Sequence, residues 1–177
     1  MYGIVNFAVY LLALAACLHW LRGTQTRRRV LAPKTPAAAQ AGAGLLLWAG
    51  LLLAVGGINV LVFHQFAPFQ FTALPPGRML NFLAFQLLVA VTEELLFRGC
   101  LTELGRGLRW HWLAIALASA ALFAAPHYLT QHDAVQLVMA FVIGLVFSVV
   151  YQRCERCTVW SLALAHFLYD IAIINIA

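Results

Sequence analysis

Six long apolar stretches separated by short polar segments dominate this chain: Tyr2 to Trp20, Gly42 to Phe63, Met79 to Phe97, His111 to Pro126, Ala134 to Tyr151 and Thr158 to Ala177. A spanning helix needs about 20 mostly apolar residues. In hydrocarbon a backbone must satisfy its own hydrogen bonds, which leaves helices and closed barrels as the spanning structures. Runs of this length read as helices. The composition agrees, because only 10% of the 177 residues are charged and 64% are hydrophobic, against roughly 25% charged in a soluble domain. The expected fold is all-α, a polytopic membrane bundle of about six transmembrane helices. It forms one integral-membrane domain over residues 1–177, in which two accessory N-terminal helices (1–63) precede a four-helix core (79–177).

The basic residues orient the bundle. Lys and Arg in short loops tend to stay cytoplasmic. With six spans the odd-numbered loops hold Arg22, Arg27, Arg28, Arg29 and Lys34, then Arg98, Arg106 and Arg109, then Arg153 and Arg156, while the even loops hold Arg78 alone. Both termini are therefore expected on the outer side of the cell's inner, cytoplasmic membrane. The net charge of +5 is an orientation signal and calls for no nucleic acid, since no reading module surrounds the basic cluster. Tyr2 to Trp20 lacks a positive n-region and exceeds the length of an h-region, so it reads as a retained helix rather than a signal peptide. Pro33 to Ala43 reads as a short linker. Cys154 and Cys157 form a lone CxxC in a cytoplasmic loop, expected as solvated or interfacial thiols. Cys17 and Cys100 read as packing residues.

Chemistry is expected where the bilayer should have excluded charge. Of six acids in the chain, Glu93, Glu94 and Asp170 fall within apolar segments, where a charged group costs on the order of 2.5–3.5 kcal/mol on insertion scales. Glu94 and Arg98 are i and i+4 on one helical face and suit a structural pair. Glu93 projects about 100° away and must find its partner on another helix. His127, at the end of the fourth span, and His166, inside the sixth, are the candidates. If the third helix continues to a turn near Gly105 to Arg109, Glu93 and His127 lie roughly 21 and 30 Å from that turn at 1.5 Å per residue, close enough to meet with tilt. His166 lies only about 12 Å into its span, so a tilted or shortened helix is required. Asp170, four residues on, shares its face.

Polar groups converging in an apolar bundle suggest hydrolysis. A buried carboxylate can serve as general base, with a histidine sharing the proton or orienting the water. A second histidine with Asp170 can serve a developing oxyanion; ionised, Asp170 would instead orient His166. Ser119, Ser148 and Ser161 sit in no nucleophile motif, and neither GxSxG nor HExxH occurs.

The stretch Thr92-Glu93-Glu94-Leu95-Leu96-Phe97-Arg98-Gly99 resembles the EExxxR motif of the CAAX prenyl protease and bacteriocin-processing (CPBP, or ABI) family. Phe123-Ala124-Ala125-Pro126-His127 is similar to its FxxxH motif, and His166-Phe167-Leu168-Tyr169-Asp170 to its HxxxN/D motif, in the family's order and spacing. The resemblance covers roughly residues 79 to 175. It implies a glutamic-type intramembrane endopeptidase with residues 79–177 as the catalytic core. Glu93 would activate the attacking water with His127, His166 and Asp170 would form or support the oxyanion site, and Glu94 and Arg98 would be supporting residues. Asp170 stands where eukaryotic prenyl proteases have Asn. No cofactor is implied: two histidines and two carboxylates could hold zinc, but a metal-free site is favoured.

The expected partners are the lipid bilayer and a membrane-embedded peptide or protein substrate: a CAAX-like protein, a C-terminal sorting tail, or a peptide to be matured. Phe66, Phe69 and Phe71, between the second and third spans, suit an interfacial aromatic belt or a lateral entry. Ala116, Ala120 and Ala124, and Gly144 with Ser148, are spaced for close helix packing. Other functions remain open to the same residues. One is a non-catalytic bacteriocin-immunity or membrane scaffold protein, another a metal or proton carrier, and a third a zinc metalloprotease.

Overall fold

Helices account for all regular structure among the described residues, which in this computed structural model are 4–32, 35–58, 60–61, 75–131 and 133–173. In chain order they are α1 (Ile4–Trp20), α2 (Thr24–Leu31), α3 (Ala37–Ile58), α4 (Pro76–Glu94), a π-wound turn (Leu95–Cys100), α5 (Leu101–Gly107), α6 (Trp112–Gln131), α7 (Ala134–Arg153) and α8 (Val159–Ile173). The all-α expectation holds. Three helical stretches are long and apolar enough to cross a membrane: Ala37–Ile58, Pro76–Gly107 and Ala134–Arg153. A fourth arises if α1 and α2 count as one broken span, and Trp112–Tyr128 and Val159–Ile173 are shorter apolar helices.

Several boundaries differ from the sequence expectation for identifiable reasons. Residues expected as a polar loop form the short helix α2, whose Val30 packs into a buried cluster with Leu21, Leu95 and Val159. The expected linker is partly helical, because α3 begins at Ala37 in an Ala-rich stretch with strong helix propensity. Helix α6 continues through Pro126 to Gln131 instead of stopping at the proline. Phe66, Phe69 and Phe71 lie outside the described residues.

Start and stop signals fix the central hairpin. Pro75 takes an extended conformation (φ −52°, ψ 142°) and Pro76 opens α4, where its missing N–H is no loss. Helix α5 closes at the predicted turn. Arg109 takes a left-handed φ of 58°, Trp110 N–H donates to the Gly105 carbonyl at 2.9 Å and Arg109 N–H to the Arg106 carbonyl at 3.0 Å. This is a Schellman motif with Arg in the position glycine usually takes. Gly105 is needed for contact, since a Cβ there would lie 2.7 Å from Ile115. Helix α7 starts at Asp133, whose carboxylate accepts from Val135 N–H at 2.8 Å.

Small residues set the packing, as expected. Ala116, Ala120 and Ala124 are buried on α6, and a Cβ on Gly144 of α7 would stand 3.2 Å from Ala120 Cα. The Ser148 hydroxyl donates to Ser119 Oγ at 3.0 Å, and Ser119 donates to the Phe97 carbonyl in the π turn at 3.1 Å. Lipid is as apolar as leucine, so close van der Waals fit and such bonds hold membrane helices together. The outer surface is apolar to match: Leu12 (71%), Leu46 (77%) and Leu53 (78%) are exposed, whereas Glu94 and Arg98 are fully buried. Cys17 and Cys100 pack together in the core, with the Cys100 thiol 3.9 Å from the Cys17 carbonyl. Cys157 is buried and Cys154 half-buried. A hydrogen bond from the Cys157 thiol holds Cys154 below the usual thiol range, and burial pushes Cys157 up to about 12.

Candidate active site

Glu93 and Glu94 end α4 at its junction with the π turn, where Leu101 N–H reaches back five residues to the Leu96 carbonyl. Such single π turns occur mostly inside α-helices and often at functional sites. The two carboxylates separate as their rotation predicts. Glu94 faces the interior and is fully buried, while Glu93 is 15% exposed at a cleft.

Glu94 and Arg98 pair across one helical face at 3.2 Å, both side chains fully buried. Arg98 also donates to the Gly144 carbonyl at 3.1 Å. Its guanidinium carbon stands 4.7 Å from the Phe123 ring centroid and 5.4 Å from that of Phe147, within cation–π range. With the Phe97 ring at 6.0 Å, a charge removed from both water and lipid thus faces one carboxylate, one carbonyl and three aromatic rings.

Glu94 does more than pair with Arg98. Its Oε1 lies 2.9 Å from His166 Nδ1. Glu94 is therefore the hydrogen-bonded partner of His166 Nδ1, a contact not expected from the sequence. With Nδ1 turned to Glu94, the ring presents Nε2 to Asp170 Oδ2 at 3.6 Å and to Glu93 Oε2 at 3.9 Å. The short α8, 15 residues or about 22 Å, brings His166 to the level of the glutamates, as the sequence required. Phe123 and Phe147 hold the imidazole edge-on, with centroids at 5.8 and 6.2 Å.

His127 follows Pro126 on α6. Its Nδ1 is 2.9 Å from the Phe123 carbonyl, which can only accept, so Nδ1 is the donor. His127, Glu93, His166 and Asp170 line one cleft of about 730 Å³, built by α1, α3, α4, α6, α7 and α8. All four sequence-predicted cleft residues are thus brought together, with Glu94 and Arg98 behind them.

One contact was missed by sequence reasoning. The Tyr10 hydroxyl on α1 donates to Glu93 Oε1 at 2.9 Å, and its ring packs edge-on against Phe85 at 5.6 Å. The partner Glu93 needed on another helix is therefore first a tyrosine from a segment expected to be accessory. A signal existed: Asn6 and Tyr10, four residues apart in an otherwise apolar run, share a helical face, and both line the cleft. Among the described residues no group of three or more His, Cys, Asp or Glu side chains has a metal-holding arrangement.

Comparison with known proteins adds one finding. A family model described as type II CAAX prenyl endopeptidase, Rce1-like, matches residues 75–172, more than half of the chain and all three motifs. No curated protein and no solved structure matches significantly. With its apolar helices and this family match, the chain belongs to the Rce1-like family of type II CAAX prenyl endopeptidases, membrane proteases of the group that its three motifs resemble.

Proposed function

We propose that this protein is a glutamic-type intramembrane endopeptidase that cleaves a membrane-anchored peptide or protein. The observation that carries the reading is Glu93, a carboxylate at a cleft inside an apolar bundle, hydrogen-bonded by Tyr10 and lining that cleft with His127 and His166. A water bound at Glu93 gives up one proton to the carboxylate, and its oxygen forms a bond to the scissile carbonyl carbon. His127 Nε2 orients that water or shares the proton. The negative charge moves to the carbonyl oxygen, where a protonated His166 Nε2 donates to it. Collapse re-forms the carbonyl, breaks the C–N bond and returns the proton from Glu93 to the departing amine. Asp170, beside Nε2, balances charge on His166, and Glu94 with Arg98 fixes the ring from behind. The reading is metal-free.

The membrane placement is part of the proposal. Six spans with both termini outside fit the basic loops, if α6 and α8 are short spans in a locally thinned bilayer. Residues 79–177 supply the catalytic core in this reading. The inner membrane is the proposed location.

The test compares membrane proteomes of cells carrying wild-type and Glu93→Gln protein. At least one membrane peptide is expected to change length, and His127→Ala is expected to give the same loss, with both variants present at normal levels in the membrane. Chelator is expected to leave cleavage by the purified enzyme unchanged. Cleavage that survives Glu93→Gln would end the assignment.

A further inference from the structure

A second polar group stands on the wall that carries Glu93. Gln86 lies seven residues earlier on α4, a rotation back to within about 20° and a rise of about 10 Å, so the two side chains share one face of the helix. Gln86, Val89 and Glu93 all line the cleft along that face. Gln86 is only 4% exposed, yet its carboxamide forms no hydrogen bond among the described residues.

The other buried glutamine shows what a structural role requires. Gln40 is 6% exposed; its Nε2 donates to the Thr35 carbonyl at 2.7 Å and its Oε1 accepts from the Thr158 hydroxyl at 2.6 Å, which ties α3 to the start of α8. Gln86 ties nothing. Burying an amide without a partner costs stability, so an apolar side chain of the same length would serve the fold at least as well. What Gln86 has to offer is a donor and an acceptor left open to whatever enters the cleft.

The spacing says what they fit. A carboxamide carries both N–H and C=O, the complement of a main-chain peptide group. An extended segment leaves those groups without internal partners, and an apolar bundle has no bulk water to supply them. Extended chain advances about 3.3 Å per residue, so the rise from Glu93 to Gln86 spans about three residues. A peptide whose scissile carbonyl sits at Glu93 and which runs along α4 therefore brings the main chain of its third residue to Gln86.

Resting on the protease reading above, we propose that Gln86 is a substrate-binding residue, whose amide donates to and accepts from the main chain of an extended substrate three residues from the scissile bond. It sets the register of the peptide against Glu93 and takes no part in breaking the bond.

The probe is a synthetic peptide that spans a Glu93-dependent cut mapped in membranes and carries a fluorophore and a quencher, given to the purified full-length protein. Gln86→Met is expected to raise KM about ten-fold or more with kcat within about three-fold, the pattern of binding lost equally from ground and transition states. Its melting temperature is expected to stay the same or rise, because an unpartnered polar group has been removed. Main-chain N-methylation, position by position along the probe, locates the contact. At one position, three residues from the cut, it is expected to cost the wild type about ten-fold in kcat/KM and the variant less than about two-fold, as fits one lost hydrogen bond. A lower melting temperature with unchanged KM would make Gln86 a structural residue and overturn the assignment, as would an N-methyl penalty of equal size in both proteins. Gln86→Leu repeats the comparison if Gln86→Met does not accumulate. Absence of any Glu93-dependent cut would overturn the protease reading and this role with it, whereas a cut made equally well by wild type and Gln86→Met would overturn the role of Gln86 alone.

Discussion

Rotation by about 100° per residue sends the adjacent Glu93 and Glu94 into different surroundings, one at the cleft and one against Arg98 and His166. Removing one partner of a buried ion pair leaves an uncompensated charge, at roughly 3–5 kcal/mol, whereas replacing both is far milder. Glu94→Gln or Arg98→Met alone should therefore lower thermal stability in detergent more than the double variant does, so the cycle shows strong coupling. Additive effects would contradict the pairing. Tyr10→Phe removes one hydrogen bond to a carboxylate, a bond of about 1.5–3 kcal/mol, and leaves the ring packing intact. It is expected to lower kcat ten-fold or more with little change in KM or in expression, whereas Glu93→Gln abolishes turnover. The residues on the three motifs were legible because each is a polar group where lipid penalises one. Tyr10 was not, because a tyrosine in an apolar run is ordinary and its partner lies 83 positions away.

Glycines at two places along α3 separate contact from conformation. A Cβ on Gly44 would lie 2.6 Å from the Ser161 carbonyl of α8, whereas one on Gly50 would meet nothing within 4 Å. Overpacking costs about 1–3 kcal/mol, so Gly44→Ala should lower the melting temperature and move α3 away from α8. Gly50→Ala should be neutral or slightly stabilising, and equal effects from the two would refute this packing. The apolar helices were legible as elements because run length and sparse charge mark them. Helix α2 and the π turn were not. An eight-residue basic segment is too short to be helical alone, and α2 is held by the docking of Val30 and Leu31. The wider winding of Leu95–Cys100 offers its Phe97 carbonyl to Ser119 on α6, a partner 22 positions away that no local pattern marks.

Taken whole, the molecule draws its cleft from six helices, including α1 and α3 outside the family-matched segment 75–172. The sequence pointed to a core with an accessory pair in front, because the motifs all lie after residue 79. Side-chain contacts across long separations, such as Tyr10 to Glu93 and Thr158 to Gln40 at 2.6 Å, leave no trace in local pattern. Deleting residues 1–36 is therefore expected to abolish cleavage even though every motif residue remains. Full activity in a shortened protein that still inserts would show that Tyr10 and the docked α2 are dispensable.

The Glu94–Arg98 pair also bears on how the chain is made. Each charge would resist entry into lipid alone, yet the two lie one turn apart on a single continuous helix. They can neutralise each other as soon as that helix forms, before α6, α7 or α8 has been translated. The third apolar segment can therefore partition from the translocation channel as a near-neutral unit. Phe123, Phe147 and the Gly144 carbonyl then close around a guanidinium that already has its counterion, so the order of synthesis matches the order in which that charge is shielded.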